Sequence, residues 1–202
     1  ALHSDRPDLP WHFAVLDDTD IDAYAAPGGY VFVTKGLLLR LHSEAELAGV
    51  LGHEITHVVR KHHLNEIRRE SRLALVGTAA QLGMEKQGYN TEALAKIASG
   101  AKLVYSRGVD KDDEFQADRE GVVLAARSGY DPYALVAVLQ MLQSIDPKSG
   151  KVELLLKTHP TPQARIAALY AAMQAGDMQQ YGNQVEGTDR FANQMRAFVN
   201  AK

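Results

Sequence analysis

Apolar residues along this chain follow two different periods. Between residues 11 and 34 they form short runs rich in β-branched and aromatic side chains: Trp11 to Leu16, Ala23 to Ala26, and Tyr30 to Thr34. Runs of this length, stopped by Asp17-Asp18 and by Pro27-Gly28-Gly29, read as strands of a small antiparallel sheet. Residues 1–10, with Pro7 and Pro10, read as an extended lead-in. From Lys35 the period lengthens to that of a helix. A short helix is expected over Lys35–Leu41, and a new one opens at the capping box Ser43-x-x-Glu46. Leu47, Val50, Leu51, Ile55, Val58 and Val59 then recur on one helical face, and the pattern runs on through Arg69. Further helices are expected over Ser71–Gly83 and Thr91–Val104, with Gly88-Tyr89-Asn90 as the turn between them and Thr91 as N-cap. Asp112–Arg127, Ala134–Ile145, Gln163–Ala175 and Thr188–Asn200 continue the helical pattern. Pro147–Gly150 reads as a loop, Val152–Leu156 fits neither period clearly, and His159-Pro160-Thr161-Pro162 breaks the chain. The fold class that results is α+β, predominantly α-helical, one domain over residues 1–202, with the small sheet packed on the helix that opens at Ser43.

Composition narrows the partners. With 46% hydrophobic residues in 202, the chain can bury a core without covalent staples. A net charge of -3 and a pI near 6.3, with no basic stripe, argue against nucleic acid. No cysteine is present, so any metal must be held by histidines and carboxylates. No apolar run approaches the roughly 20 residues needed to span a bilayer; Leu73 to Met84 is interrupted by Gly77, Thr78, Gln81 and Gly83. The first residue is Ala, which fits a processed or trimmed chain and favours export, with room for peripheral or lipid-anchored membrane association through a missing N-terminal segment.

The chemistry enters at His53-Glu54-Ile55-Thr56-His57. Two residues four apart on a helix lie about 40° apart around its axis, so both imidazoles can reach one metal while Glu54 sits beside them. This is the His-Glu-x-x-His arrangement of zinc peptidases, of which composition predicts roughly 0.02 chance occurrences. A catalytic zinc normally takes three protein ligands and keeps a position for water. The third should be a carboxylate or a histidine on another element, and Glu114 is the best candidate, with Asp118 four residues later on the same face. Read alone, these acids are better explained as a solvated cluster with Asp110, Asp112 and Asp113. His62 and His63, flanked by charged residues, read as solvent-exposed.

Several ordered motifs together carry a resemblance. His53-Glu-Ile-Thr-His57, Glu114-Phe-Gln-Ala-Asp118 followed by Gly121, Ser128-Gly-Tyr-Asp-Pro132, and Thr158-His159-Pro160 with Arg165-Ile166 resemble the zinc metalloprotease family of HtpX, the CAAX prenyl proteases, BepA and the Oma-type enzymes. The similarity covers roughly residues 20–170. It implies a zincin-like fold of the gluzincin type, one zinc ion per chain, Glu114 as third ligand and Asp118 as the partner that orients a ligand histidine. It also makes the His159-Pro160 segment a wall of the site. The chain departs from the family pattern by carrying extra residues, Gly108 to Asp113, between Tyr105-Ser106-Arg107 and Glu114. Glu114, rather than Asp110 or Asp113, keeps the Glu-x-x-Ala-Asp spacing.

The expected activity is therefore a zinc endopeptidase with Glu54 as general base. His159 is the candidate donor to the developing oxyanion, or an occluding ligand in the resting enzyme. Arg165 would position His159, pair with Asp118, or lie in solvent. Expected substrates are extended or misfolded polypeptides, met in periplasmic or otherwise extracytoplasmic quality control and able to pair with an exposed sheet edge. The alternative is a zinc-stabilised, chaperone-like binding module with a closed, inactive site.

Overall fold

The structure, a computed structural model, describes residues 1–74, 100, 102, 105–106, 108–175 and 184–200. The helix expected over Ser71–Gly83 begins within these residues. Its remainder, the Gly88-Tyr89-Asn90 turn and the Thr91–Val104 helix with its cap fall outside them, positions 100 and 102 apart. Strands β1 (His12–Leu16), β2 (Ala23–Ala26) and β3 (Tyr30–Thr34) form within the β-branched and aromatic runs that predict them. Their order is β1-β3-β2, with β2 antiparallel to β3 but β1 parallel to it, His12 opposite Tyr30 and Leu16 opposite Thr34. The sheet is thus mixed rather than antiparallel throughout. β2 and β3 form a hairpin through Pro27-Gly28-Gly29, and Asp17 to Asp22 carry the chain from β1 past β3 to β2, a path that the lengths of the runs do not fix. Gly28 and Gly29 take φ of 99° and 97°, a region open to glycine, and a Cβ on Gly29 would lie 2.6 Å from the Pro10 carbonyl oxygen.

Thr34 ends β3 and starts α1 (Lys35–Leu38) by accepting the Leu37 N–H on its hydroxyl. The long helix α2 (Glu44–Arg60) opens at the expected Ser43 cap, with the return bond of Glu46 made to the residue before the cap rather than to the cap itself. Ser43 Oγ accepts the Glu46 N–H at 3.1 Å, and the Glu46 carboxylate reaches back to the N–H of His42 at 2.6 Å. It does not run on to Arg69. Lys61 adopts the left-handed conformation, φ 62°, which terminates α2, and α3 (His62–Ala74) sets off in a new direction. A non-glycine residue held there costs on the order of 1–2 kcal/mol, so the surroundings must favour the break.

Beyond the undescribed stretch come α4 (Lys111–Arg127), capped by Asp110, then α5 (Ala134–Gln143), a 3-10 turn at Pro147–Ser149, α6 (Glu153–Thr158), α7 (Pro162–Ala175) and α8 (Thr188–Asn200). Val152–Leu156, ambiguous by period, belongs mainly to α6. One apolar cluster joins Val50 of α2, Val122 of α4, Leu135 and Leu139 of α5, Leu169 of α7 and Phe191 of α8. A second packs the sheet on α2 through Ala25, Val31, Ile55 and Val58. The expected α+β fold, mainly helical with the sheet on the motif-bearing helix, is what forms.

The approach of α2 to α4 is set by two glycines. A Cβ on Gly52 would stand 2.5 Å from the Gly121 carbonyl oxygen, and one on Gly121 would stand 2.6 Å from the His53 nitrogen. No side chain fits between backbones this close. Gly121→Ala should therefore lower the unfolding free energy by about 1–3 kcal/mol, the usual cost of overpacking. Urea unfolding checks it, and an unchanged midpoint would mean that α2 and α4 can part without loss.

Candidate metal centre

That glycine contact brings the N-terminal half of α4, with Glu114 in its first turn, beside the middle of α2. His53 and His57, one helical turn apart, turn their Nε2 atoms toward each other at 3.0 Å. From α4, Glu114 brings Oε2 to 3.6 Å from His53 Nε2 and Oε1 to 3.6 Å from His57 Nε2. His159, the C-cap of α6, closes the group with Nε2 3.2 Å from Glu114 Oε2. One ligand atom from each of His53, His57, Glu114 and His159 lies within 4.8 Å of the others. Three separate segments thus converge on one point. Glu54, also on α2, is 3% exposed and its carboxylate accepts the Ala25 N–H of β2.

Whether a metal fits can be judged from what the donors lack. Glu54 Oε2 and Glu114 Oε2 are buried and make no hydrogen bond among the described residues. His159 stands 3.2 Å from Glu114 Oε2, but not in hydrogen-bond geometry. Buried carboxylate oxygens without a donor are costly, and a cation supplies what is missing. Two or three imidazoles and a carboxylate, with no thiolate, suit zinc.

The electrostatics show the same need. Burial pushes Glu54 up to about 8, helped by the nearby Asp22 carboxyl, and pushes Glu114 well above the usual carboxylate range. Burial and the Arg165 guanidinium hold His53 below its ordinary value; burial and the neighbouring histidines hold His57 well below. Neutral imidazole is the form that binds a metal.

Asp118 and Arg165 stand behind the cluster. Asp118 Oδ1 accepts from His53 Nδ1 at 2.9 Å, which fixes the proton there and frees Nε2. Arg165 donates Nε to Asp118 Oδ2 at 2.8 Å and a terminal N–H to Oδ1 at 2.6 Å. Burial alone would raise Asp118, but this guanidinium overrides it and holds the carboxyl well below its ordinary value. Of the roles considered for Arg165, pairing with Asp118 is the one formed; its side chain is buried, not solvated.

Sequence reasoning missed five neighbours. His62 and His63, expected in solvent because charged residues flank them, are 3% and 5% exposed. The break at Lys61 folds them under His57, and no local pattern announces it. Tyr105 is buried against His159, its hydroxyl 3.2 Å from Nδ1, and donates to Asp22 Oδ1 at 2.8 Å. Thr158 Oγ1 lies 3.0 Å from the same His159 nitrogen. Burial pushes Asp22 up to about 7. Of the two sheet edges, β2 has all four residues buried and β1 alternates between half-buried and exposed residues.

Comparison with known proteins adds a family. The profile described as Peptidase family M48 matches residues 1–173. The chain is 32% identical over 166 residues to the β-barrel assembly-enhancing protease of Yersinia pestis, covering 78% of this chain and 33% of that protein. It is 29% identical over 163 residues to the mitochondrial metalloendopeptidase OMA1 of Schizosaccharomyces pombe, covering 81% and 47%. With metalloprotease YcaL of Escherichia coli K12 it shares 31% over 169 residues, covering 79% and 61%. The chain spans about a third of the length of the assembly-enhancing proteases that it matches.

The shifted carboxyls give a pH dependence with a definite sign. Above the ordinary histidine value of about 6.5 the buried imidazoles are neutral in both states, so among the described residues the carboxyls act against a single opposing group, the Ala1 ammonium, which burial holds below its ordinary value. Glu54 at about 8 and Asp22 at about 7 lie above their unfolded values. The stability they contribute is therefore full at low pH and lost as pH rises through these values. The metal-free protein should lose thermal stability between about pH 6.5 and 9, and Glu54→Gln should flatten the fall. Melting curves check this; a constant midpoint in the metal-free wild type would contradict it.

Proposed function

Because the chain belongs to peptidase family M48, we propose that it is a zinc-dependent endopeptidase cleaving extended or misfolded polypeptides. The observation that carries the proposal is the convergence of His53, His57, Glu114 and His159 beside a buried Glu54 whose outer oxygen has no partner among the described residues. In this reading His53, His57 and Glu114 hold one zinc ion. Bound there, zinc supplies a Lewis acid that polarises the scissile carbonyl and makes a water acidic near neutral pH.

The remaining steps belong to the protein's own residues. Glu54, next to the donors yet not among them, takes the proton of the attacking water and returns it to the leaving amine. A nearby cation favours its charged form, the form a base needs. Asp118 keeps the His53 proton on Nδ1, and Arg165 neutralises Asp118 so that this carboxylate does not compete for the metal. His159 stands over the cluster in the closed arrangement seen here; once displaced by substrate it can serve the developing oxyanion with its proton on Nε2, which requires Nδ1 to accept from a Tyr105 or Thr158 hydroxyl turned from its present acceptor. Tyr105 and Thr158 set its ring from the Nδ1 side.

The names of the relatives, a protease that enhances β-barrel assembly and a mitochondrial metalloendopeptidase, support a role in extracytoplasmic, periplasmic-type protein quality control. No helix among the described residues is long and apolar enough to cross a membrane. The closed site also favours a second reading, a zinc-stabilised binding module that holds unfolded chains without cutting them. A structural zinc site, however, has no use for Glu54.

Zinc-loaded wild type should cleave denatured casein, whereas Glu54→Gln should keep stoichiometric zinc and lose at least about 100-fold in rate. Glu114→Ala should lose most of its zinc, while Asp112→Ala, on the exposed face of the same helix, should retain it. Equal cleavage by wild type and Glu54→Gln would overturn the mechanism. Absence of cleavage by both, with zinc bound, would favour the binding module.

A further inference from the structure

His57 faces two ways. Its Nε2 points at His53 Nε2 and Glu114, the side on which a metal would bind, so its Nδ1 must point away into the protein. What it meets there is a third imidazole: His62 Nδ1 lies 3.1 Å from His57 Nδ1, with the two rings edge to face at 5.0 Å and 82°. His62 is 3% exposed, so water does not replace this contact.

We propose that His62 is a positioning residue for the metal centre, accepting the Nδ1–H of His57 so that the Nε2 lone pair of His57 is turned to the metal. The inference rests on the zinc reading above and concerns how one ligand is held. The tautomers follow from counting protons. A neutral imidazole carries one N–H, and a metal on Nε2 requires that the proton sit on Nδ1. That N–H needs an acceptor, and the atom within reach is His62 Nδ1, which must then be unprotonated. The proton of His62 consequently sits on Nε2, facing α4: Asp113 Oδ1 is 3.7 Å away and the Gln116 side chain is a hydrogen-bond partner of the ring. Were the His62 proton on Nδ1 instead, His57 would have to accept it and carry its own proton on Nε2, closing that nitrogen to the metal. His53 has its proton fixed by Asp118 and His57 by His62, so each ligand histidine has its own orienting partner.

The backbone explains why a residue five positions later can do this. In an unbroken helix, His62 would lie about 140° around the axis from His57, on a different face. The left-handed turn at Lys61 ends α2 and brings the first residue of α3 back beneath His57. Asp113 and Gln116 flank Glu114 on α4, so the helix that supplies the third ligand also holds the far side of His62.

The test compares His62→Ala with His62→Asn in the purified protein, by chelator competition for zinc and by the visible spectrum of the cobalt-substituted form. Asparagine places a carbonyl oxygen near the position of the His62 Nδ1 and restores the acceptor. His62→Ala should weaken zinc binding about 10- to 100-fold and perturb the cobalt spectrum, and His62→Asn should recover most of both. Zinc bound by His62→Ala as tightly as by wild type would overturn the inference, and so would an asparagine variant as weak as the alanine one. A wild type that binds no zinc would instead overturn the function proposed above. Should His62→Ala not fold, long-range proton–nitrogen NMR of the zinc-loaded wild type decides. His57 protonated at Nδ1 and His62 at Nε2 support the assignment; His62 protonated at Nδ1 overturns it.

Discussion

Where α2 crosses α4 there is no room for a side chain: the Gly52 and Gly121 backbones meet at distances that a single Cβ would violate. The residues on either side of that contact are the ones with chemistry. His53 follows Gly52 directly, and Glu114 and Asp118 lie seven and three residues before Gly121 on α4, about two turns and one turn away. A helix pair at ordinary spacing, 8–10 Å between axes, would hold the carboxylates farther from the imidazoles. The close crossing is what lets Asp118 reach the Nδ1 of His53 while Glu114 faces both Nε2 atoms.

Closeness of this kind has an electrostatic cost. Glu54, Glu114 and Asp118 are carboxyls removed from water within one small region, and Arg165 pairs with Asp118, approaches His53 Nδ1 at 3.3 Å, and makes no hydrogen bond to Glu54 or Glu114 among the described residues. Glu54 and Glu114 are left with oxygens that nothing described satisfies, and both are driven toward the protonated form. Uncompensated buried charge is strongly destabilising, whereas a cation among these donors turns the same arrangement into mutual attraction. The features that make the metal-free site unfavourable are the ones that make it a metal site. His159, with the Tyr105 and Thr158 hydroxyls beside its Nδ1, stands over this centre, its Nε2 3.2 Å from Glu114 Oε2.

Much of this was legible from the residues. Strand ends at Leu16, Ala26 and Thr34, the Ser43 cap and the stripe from Leu47 to Val58 follow from period and punctuation, and the His53–His57 spacing names its own chemistry. Glu114 and Asp118 needed the resemblance, because an acidic run at a helix start is by itself better explained by solvent. What could not be read came from tertiary geometry. Alternation assigns faces within a strand but not neighbours, so the parallel pairing of β1 with β3 was hidden. Lys61 has no signature of a left-handed residue, and with that break hidden, His62 and His63 looked solvated. Asp22 and Tyr105 are 83 residues apart in the chain and meet only through the tertiary fold, where the Tyr105 hydroxyl donates to the Asp22 carboxylate.

The central claim is that His53, His57 and Glu114 hold a single zinc ion between α2 and α4. Diffraction at the zinc absorption edge from crystals of the zinc-loaded protein tests it most directly. The account predicts one anomalous peak per chain, about 2.0–2.2 Å from His53 Nε2, His57 Nε2 and a Glu114 oxygen. A peak elsewhere, or zinc-loaded crystals with no peak between these three side chains, would contradict it.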